Sequence, residues 1–196
     1  VLTNWSQEFA PGTTTALTGP SGKGKSTALY VLGLLLTPNA GAVYLDDQAV
    51  SGHNDRARSW LRAHEFGFVF QNAELDQSRT LAANILESCH YRGEDPASRM
   101  GQAQAQALME QFGVDLPANR RPGQVSGGQA QRIALCRALV ADPLVVLADE
   151  PTGNLDADSA QAVIQGLKEH AAKGRIVIIS THSPEVVAQC DLQVHL

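Results

Sequence analysis

Nine consecutive residues carry the most specific chemistry in this sequence: Gly19, Pro20, Ser21, Gly22, Lys23, Gly24, Lys25, Ser26 and Thr27, the first eight of which fit the pattern G-x-x-x-x-G-K-[ST]. Glycines in such a run let backbone N–H groups turn toward phosphate oxygens. A helix opening at the end of the run adds its partial positive charge. In that setting the Lys25 ammonium reaches the β- and γ-phosphates of a nucleotide, and the Ser26 hydroxyl is offered to Mg²⁺. Lys23 adds a cation to the loop, its side chain expected toward solvent. A second group is Asp149-Glu150, delivered at the end of the apolar run Leu144 to Ala148. Successive strand side chains point to opposite faces, so these two carboxylates cannot do one job. One can hold Mg²⁺ through water while the other polarises an attacking water as general base. A third group is Ser126-Gly127-Gly128-Gln129. Ser126 is a plausible cap for the helix that follows, on which Ile133, Cys136 and Val140 share a face; local physics alone reads the rest as a Gly-Gly turn.

These residues need elements to hold them. Leu2 to Glu8 and Thr13 to Thr18 read as short strands joined in a hairpin by Ala10-Pro11-Gly12. A helix is expected over Lys25 to Leu36, closed by Pro38 and Gly41. Ala42 to Leu45 and Gly67 to Phe70 are further strand candidates flanking the helix that contains Trp60, with Asp46-Asp47 as a turn. From Asn72 to Val125 the texture becomes rich in Gln and Ala with helical spacing, as in Met100 to Phe112, and reads as a helical insertion. Then follow a helix from Gln129 to Val140, a strand Leu144 to Ala148, a helix Asp158 to His170 and a strand Arg175 to Ser180. Strands apolar on both faces, alternating with helices, predict a parallel sheet covered on two sides.

Composition bounds the function. At 196 residues the chain is expected to hold one domain. A formal charge of −5, with only four Lys among its basic residues, argues against a dedicated nucleic-acid binder. Cys89, Cys136 and Cys190 show no metal-ligand spacing and fit a reduced compartment, with Cys136 and Cys190 read as inert thiols in apolar helical stretches. The longest apolar stretch, Ala28 to Leu36, falls well short of the roughly 20 residues that cross a bilayer, so no direct membrane insertion is expected. His53, His64, His90, His170 and His195 are assigned to solvated or capping positions, and Arg120-Arg121 to a solvated surface.

Together with the phosphate loop, Val125-Ser126-Gly127-Gly128-Gln129 resembles the signature Leu-Ser-Gly-Gly-Gln of the ABC-transporter ATPase family, with Val125 in place of Leu. The resemblance covers nearly the whole chain. It implies an α/β P-loop NTPase fold: a mainly parallel core sheet, a small N-terminal antiparallel β portion and an inserted helical subdomain. The nucleotide-binding core would span 1–71 and 126–196, and the helical subdomain 72–125. The cofactors implied are ATP and Mg²⁺. Gln71, after Phe70, resembles the loop glutamine that touches Mg²⁺ and senses a transmembrane partner; with Ser26 and Asp149 it completes the expected metal set. Glu150 would sit beside the attacking water, Lys25 on the phosphates, and His182, after Thr181, on the γ-phosphate. Asn154-Leu155-Asp156 resembles the segment that reaches across a dimer.

In that family ATP is held between the phosphate loop of one copy and the signature, here Ser126, Gly127, Gly128 and Gln129, of the other. The resemblance therefore implies an ATP-dependent homodimer driving a membrane permease subunit, peripheral to the inner face of the cell membrane, with no nucleic-acid partner. The string Leu147 to Asp156 is most similar to the lipoprotein-releasing, macrolide-exporting and cell-division branch. A non-transport ATPase of the same type, acting on nucleic acid or ribosomes, is the alternative class; the expected coiled-coil insertions and basic surfaces are absent. Ser183 replaces the Asp that commonly follows the histidine. The family's adenine-stacking aromatic lies upstream of this sequence, and Trp5 is expected in the core.

Overall fold

All five residues of Thr14–Thr18 (β1) are buried, so this strand has no solvent face and must lie inside a sheet. In the computed structural model, which describes residues 2–20, 22–95, 98–153 and 155–196 (Arg99 by its backbone alone), β1 runs through the phosphate loop into Lys25–Leu32 (α1). Tyr44–Leu45 (β2) and Gln48–Ala49 (β3) pair antiparallel across Asp46 and Asp47, both at positive φ, as a tight hairpin turn demands. Asp55–Glu65 (α2) starts at Asn54, whose side chain accepts from the Ala57 N–H, and leads directly into Phe66–Val69 (β4). Three helices follow: Leu81–Ile85 (α3), Glu87–Tyr91 (α4) and Arg99–Gln111 (α5). A 3₁₀ turn at Pro122–Gln124 precedes Gly127–Leu139 (α6). Val145–Asp149 (β5), Ala157–Ala172 (α7), Ile176–Ser180 (β6), Pro184–Val187 (α8) and Leu192–His195 (β7) complete the order.

The large sheet runs β4-β5-β6-β1-β7, and every pairing in it is parallel. Side chains alternate across it with the strand period of two. Val145 and Leu147 face one apolar layer with Leu17, Leu29 and Ile178; Val146 and Ala148 face the other with Ile133, Leu135, Val177 and Ile179. Residues 72–125 are helical rather than β-stranded among the described residues, and they share the second layer: Leu81, Ile85, Met109 and Phe112 pack with the sheet and α6.

The expected opening hairpin is absent. Leu2–Glu8 carries no strand, because both edges of β1 are taken by parallel neighbours and Asn4, at φ 53°, breaks the extended run. Leu2, Trp5 and Phe9 instead pack half-buried against the α1 layer. The antiparallel β portion is the β2–β3 hairpin. The first helix also stops four residues early. Gly33 caps it, Leu34 turns left-handed at φ 59°, and the Leu35 N–H returns to the Tyr30 carbonyl at 2.8 Å, closing a C-terminal motif that glycine usually serves. Two smaller expectations fail as well. Cys190 lies beyond α8 rather than in a helix, and His170, assigned to a solvated or capping position, is in the last turn of α7 and 3% exposed, so it is not solvated.

Candidate active site

Four loops gather at the carboxyl edge of the sheet, where open parallel sheets place their ligand sites. The phosphate loop leaves β1, Gln71 follows β4, Glu150 follows β5, and Thr181-His182 follow β6. Within the phosphate loop Gly22 (φ 78°) and Gly24 (φ 100°) take left-handed conformations that a side chain would strain, and Gly24 is the N-cap of α1. Among the described residues, no side chain caps this helix. Ala28 is the first N–H to bond back, to the Gly24 carbonyl at 2.7 Å, so the preceding helix N–H groups are left to meet an anion. Lys25 Nζ donates to the carbonyls of Gly19 (2.9 Å) and Pro20 (3.3 Å), which fixes the ammonium over the same loop. Lys23 is exposed; Ser21 and Asn154 lie outside the described residues.

The two carboxylates at the end of β5 diverge, as strand geometry requires. Asp149 is 7% exposed, and its charge acts on the hydroxyl of Tyr30 on α1. Burial, and then the Asp149 charge, push the Tyr30 phenol above its ordinary range. The Tyr30 ring in turn meets Phe70 edge-on, with centroids 6.4 Å apart, so α1, β4 and β5 converge beside Gln71. Glu150 has turned out of the strand at φ 45°, a conformation that costs an ordinary residue about 1–2 kcal/mol. Its N–H holds the Ser180 carbonyl at 2.9 Å, and its own carbonyl accepts from Gly153 at 3.1 Å. Both carboxylate oxygens are engaged. Oε1 lies 2.7 Å from His182 Nδ1, and Oε2 accepts from the Thr181 hydroxyl at 3.2 Å. The Ser183 hydroxyl that stands in for the usual Asp caps α8 and donates to Glu185 at 2.6 Å, so it does not support His182.

On the other side of the β5 loop, Ser126 and Gln129 form a reciprocal capping box at the start of α6. Gly128 lies against Asp156 and Ser159: a Cβ added to it would stand 3.2 Å from Ser159 Oγ and 3.5 Å from Asp156 Oδ2. Asp156 is the N-cap of α7, accepting from the Ser159 N–H at 2.9 Å and from its hydroxyl at 2.8 Å. Those bonds, the backbone one first, hold its carboxyl below the usual carboxylate range. Arg132 donates to Ser159 Oγ at 2.6 Å and ties the two helix starts together. Ser126, Gly127, Gly128, Gln129 and Asp156 therefore form one group. Among the described residues, no hydrogen bond joins that group to Gly19–Thr27 of the same chain.

The oxygens of Asp149, Ser26 and Gln71 are the hard donors that Mg²⁺ prefers, and one carboxylate supplemented by substrate phosphates is its common protein environment. No cluster of three His, Cys, Asp or Glu is present among the described residues. Tyr30, Thr181, Arg132 and Ser159 belong to the site but carry no sequence pattern of their own. Their roles are visible only through the partners that the fold gives them.

A parallel sheet with a glycine-rich phosphate loop at its carboxyl edge, a buried Asp and a loop Glu defines a P-loop nucleotide hydrolase. Known proteins narrow this. The ABC transporter family pattern matches residues 2–153. The chain is 39% identical over 197 residues to the lipoprotein-releasing system ATP-binding protein LolD of Bordetella pertussis, covering 100% of this chain and 84% of that protein. It is 40% identical over 189 residues to the macrolide export ATP-binding/permease protein MacB 1/2 of Paracoccus denitrificans, covering 96% of this chain and 28% of that longer protein. Its fold superposes with a TM-score of 0.88, at 31% identity, on the dimeric ATP-binding cassette MJ0796 in a post-hydrolysis state with ADP and Pi, covering 97% of this chain and 83% of that one. The chain belongs to the ABC transporter family, as an ATP-binding and ATP-hydrolysing unit.

Proposed function

We propose that two copies of the chain close around two ATP molecules, each phosphate loop facing the Ser126–Gln129 turn of the other copy, and that this closure drives a membrane permease. The observation that carries the reading is the separation within one chain. Among the described residues, the α6 N-terminus, capped and complementary to a γ-phosphate, lies against Asp156 and Ser159, with Arg132 of the same helix bonded to Ser159, and has no bond to the phosphate loop. A second copy supplies what the first lacks. The solved dimeric cassette MJ0796 supports it.

In this reading Lys25 and the α1 N-terminus bind the β- and γ-phosphates, and Ser26, Asp149 and Gln71 hold Mg²⁺. When bound, the ion screens phosphate charge and assists departure of the ADP oxygen. The Glu150 carboxylate accepts the proton of the attacking water through an oxygen held by Thr181 or His182. With His182 Nδ1–H donating to Glu150, its other ring nitrogen remains for the γ-phosphate, consistent with side-chain exposures of 73% for His182 and 14% for Glu150. Loss of the γ-phosphate removes the contact that joins the copies, and the dimer opens. Residues 72–125 act as the helical subdomain on which, beside Gln71, the permease docks. No described helix is long and apolar enough to cross a membrane, so the partner would supply the passage. The names of the relatives favour an export or lipoprotein-releasing role over action on nucleic acid.

Light scattering of Glu150→Gln tests this. Dimers that appear with ATP and vanish with ADP are expected, and monomers at saturating ATP would defeat the two-copy site. Purification from native membranes should recover a permease; recovery with ribosomes or nucleic acid alone would favour the other class.

A further inference from the structure

The loop that carries Gln71 is fastened on both flanks to the helix that carries the signature turn. Upstream, Gln131 of α6, 5% exposed, donates Nε2–H to the Phe70 carbonyl at 2.8 Å. Downstream, the Arg137 guanidinium of the same helix forks onto two successive carbonyls, Glu74 at 2.8 Å and Ala73 at 2.9 Å. These carbonyls converge because Glu74 adopts φ 46°, a left-handed turn held in place by its surroundings. Asn84, 1% exposed, closes the segment from the α3 side, accepting from Asp76 N–H at 2.7 Å and donating to the Asp76 carbonyl at 3.1 Å. Between the two α6 clamps only Gln71 and Asn72 project, both exposed. Gln131 and Arg137 are six residues apart, about 9 Å along the helix, a span that four loop residues bridge without stretching. Arg137 is half-buried, and burial lowers its pKa.

We propose that Gln131 and Arg137 are positioning residues that make the Gln71 loop and the Ser126–Gln129 turn one rigid unit, so that a load applied at Gln71–Asn72 displaces the α6 N-terminus. The proposal rests on the two-copy reading for its functional consequence, but the clamp is a property of the single chain. A planar fork on paired carbonyls transmits direction as well as distance, which one lysine bond does only in part.

Hydrogen exchange of the full chain tests it. Arg137→Ala and Gln131→Met should each raise exchange about tenfold at Ala73–Asp76 and also at Gly127–Ala130, with Val145–Asp149 unchanged and Arg137→Lys partly restored. A rise confined to Ala73–Asp76, or none at either segment in both variants, overturns the clamp. If Arg137→Ala loses protection at Val145–Asp149, it has unfolded, and Gln131→Met decides. In a Glu150→Gln background, Arg137→Ala should weaken ATP-dependent dimerisation about tenfold while monomer nucleotide affinity stays within twofold; equal weakening of both would also overturn it. Should Glu150→Gln itself stay monomeric, the two-copy reading falls and the exchange result alone judges the clamp.

Discussion

His182 Nδ1 and Glu150 Oε1 stand 2.7 Å apart, joining an exposed imidazole to a largely covered carboxylate. The strands that deliver them are adjacent in the sheet, and Glu150 leaves its strand through a left-handed turn that aims the carboxylate at the β6 loop.

Replacing Glu150 by Gln keeps the shape and the Thr181 bond but removes the proton acceptor. Phosphate release should fall by roughly 10²–10⁴-fold with ATP binding retained. A fall in binding equal to the fall in turnover would assign Glu150 to the ground state instead.

Tyr30→Phe deletes the hydroxyl on which the Asp149 charge acts and leaves the ring against Phe70. A polar neighbour helps to orient a carboxylate that would hold a metal ion. The Mg²⁺ concentration for half-maximal hydrolysis should therefore rise severalfold, followed by titration at fixed ATP. An unchanged Mg²⁺ curve at an unchanged melting temperature would show that Asp149 is oriented without it.

Gly128→Ala sets two effects against each other. Alanine gains about 1 kcal/mol of helix propensity, while its Cβ presses on Ser159 Oγ at 3.2 Å. The melting temperature should hardly move, yet the turn shifts against Asp156 and turnover should fall about tenfold or more. Wild-type turnover in this variant would detach the Gly128 contact from function.

His170 gives the fold an acid sensitivity unconnected with catalysis. Its Nε2 meets the Pro143 carbonyl at 2.9 Å, and burial lowers its pKa. The unfolded chain titrates near 6.5 and binds the proton more readily, so this contribution is present above that pH and lost as pH falls toward the folded value. Urea midpoints should drop from pH 7 to 5.5, no more steeply than about 1.4 kcal/mol per pH unit for this group. His170→Gln should flatten the slope; an identical slope would place the titration elsewhere.

How much of this was legible in the sequence varies with the range of the cause. The Lys25 loop, the Asp149-Glu150 strand end and the Ser126–Gln129 cap are local chemistry, written in adjacent residues. Leu2–Glu8 alternates like a strand, but a strand requires a free edge, and the edges of β1 are claimed by residues far along the chain. The end of α1 depended on Leu34 accepting a conformation that composition assigns to glycine. Tyr30, Gln131, Arg132 and Arg137 read as ordinary helix residues until their targets, a carboxylate, a hydroxyl and backbone carbonyls, are known.

Among the described residues, both neighbours of β1 come from residues 176–195, far along the chain from the phosphate loop that this strand launches. Pairing across so large a sequence separation is slow to form, so the sheet position of the phosphate loop depends on contacts made by distant chain.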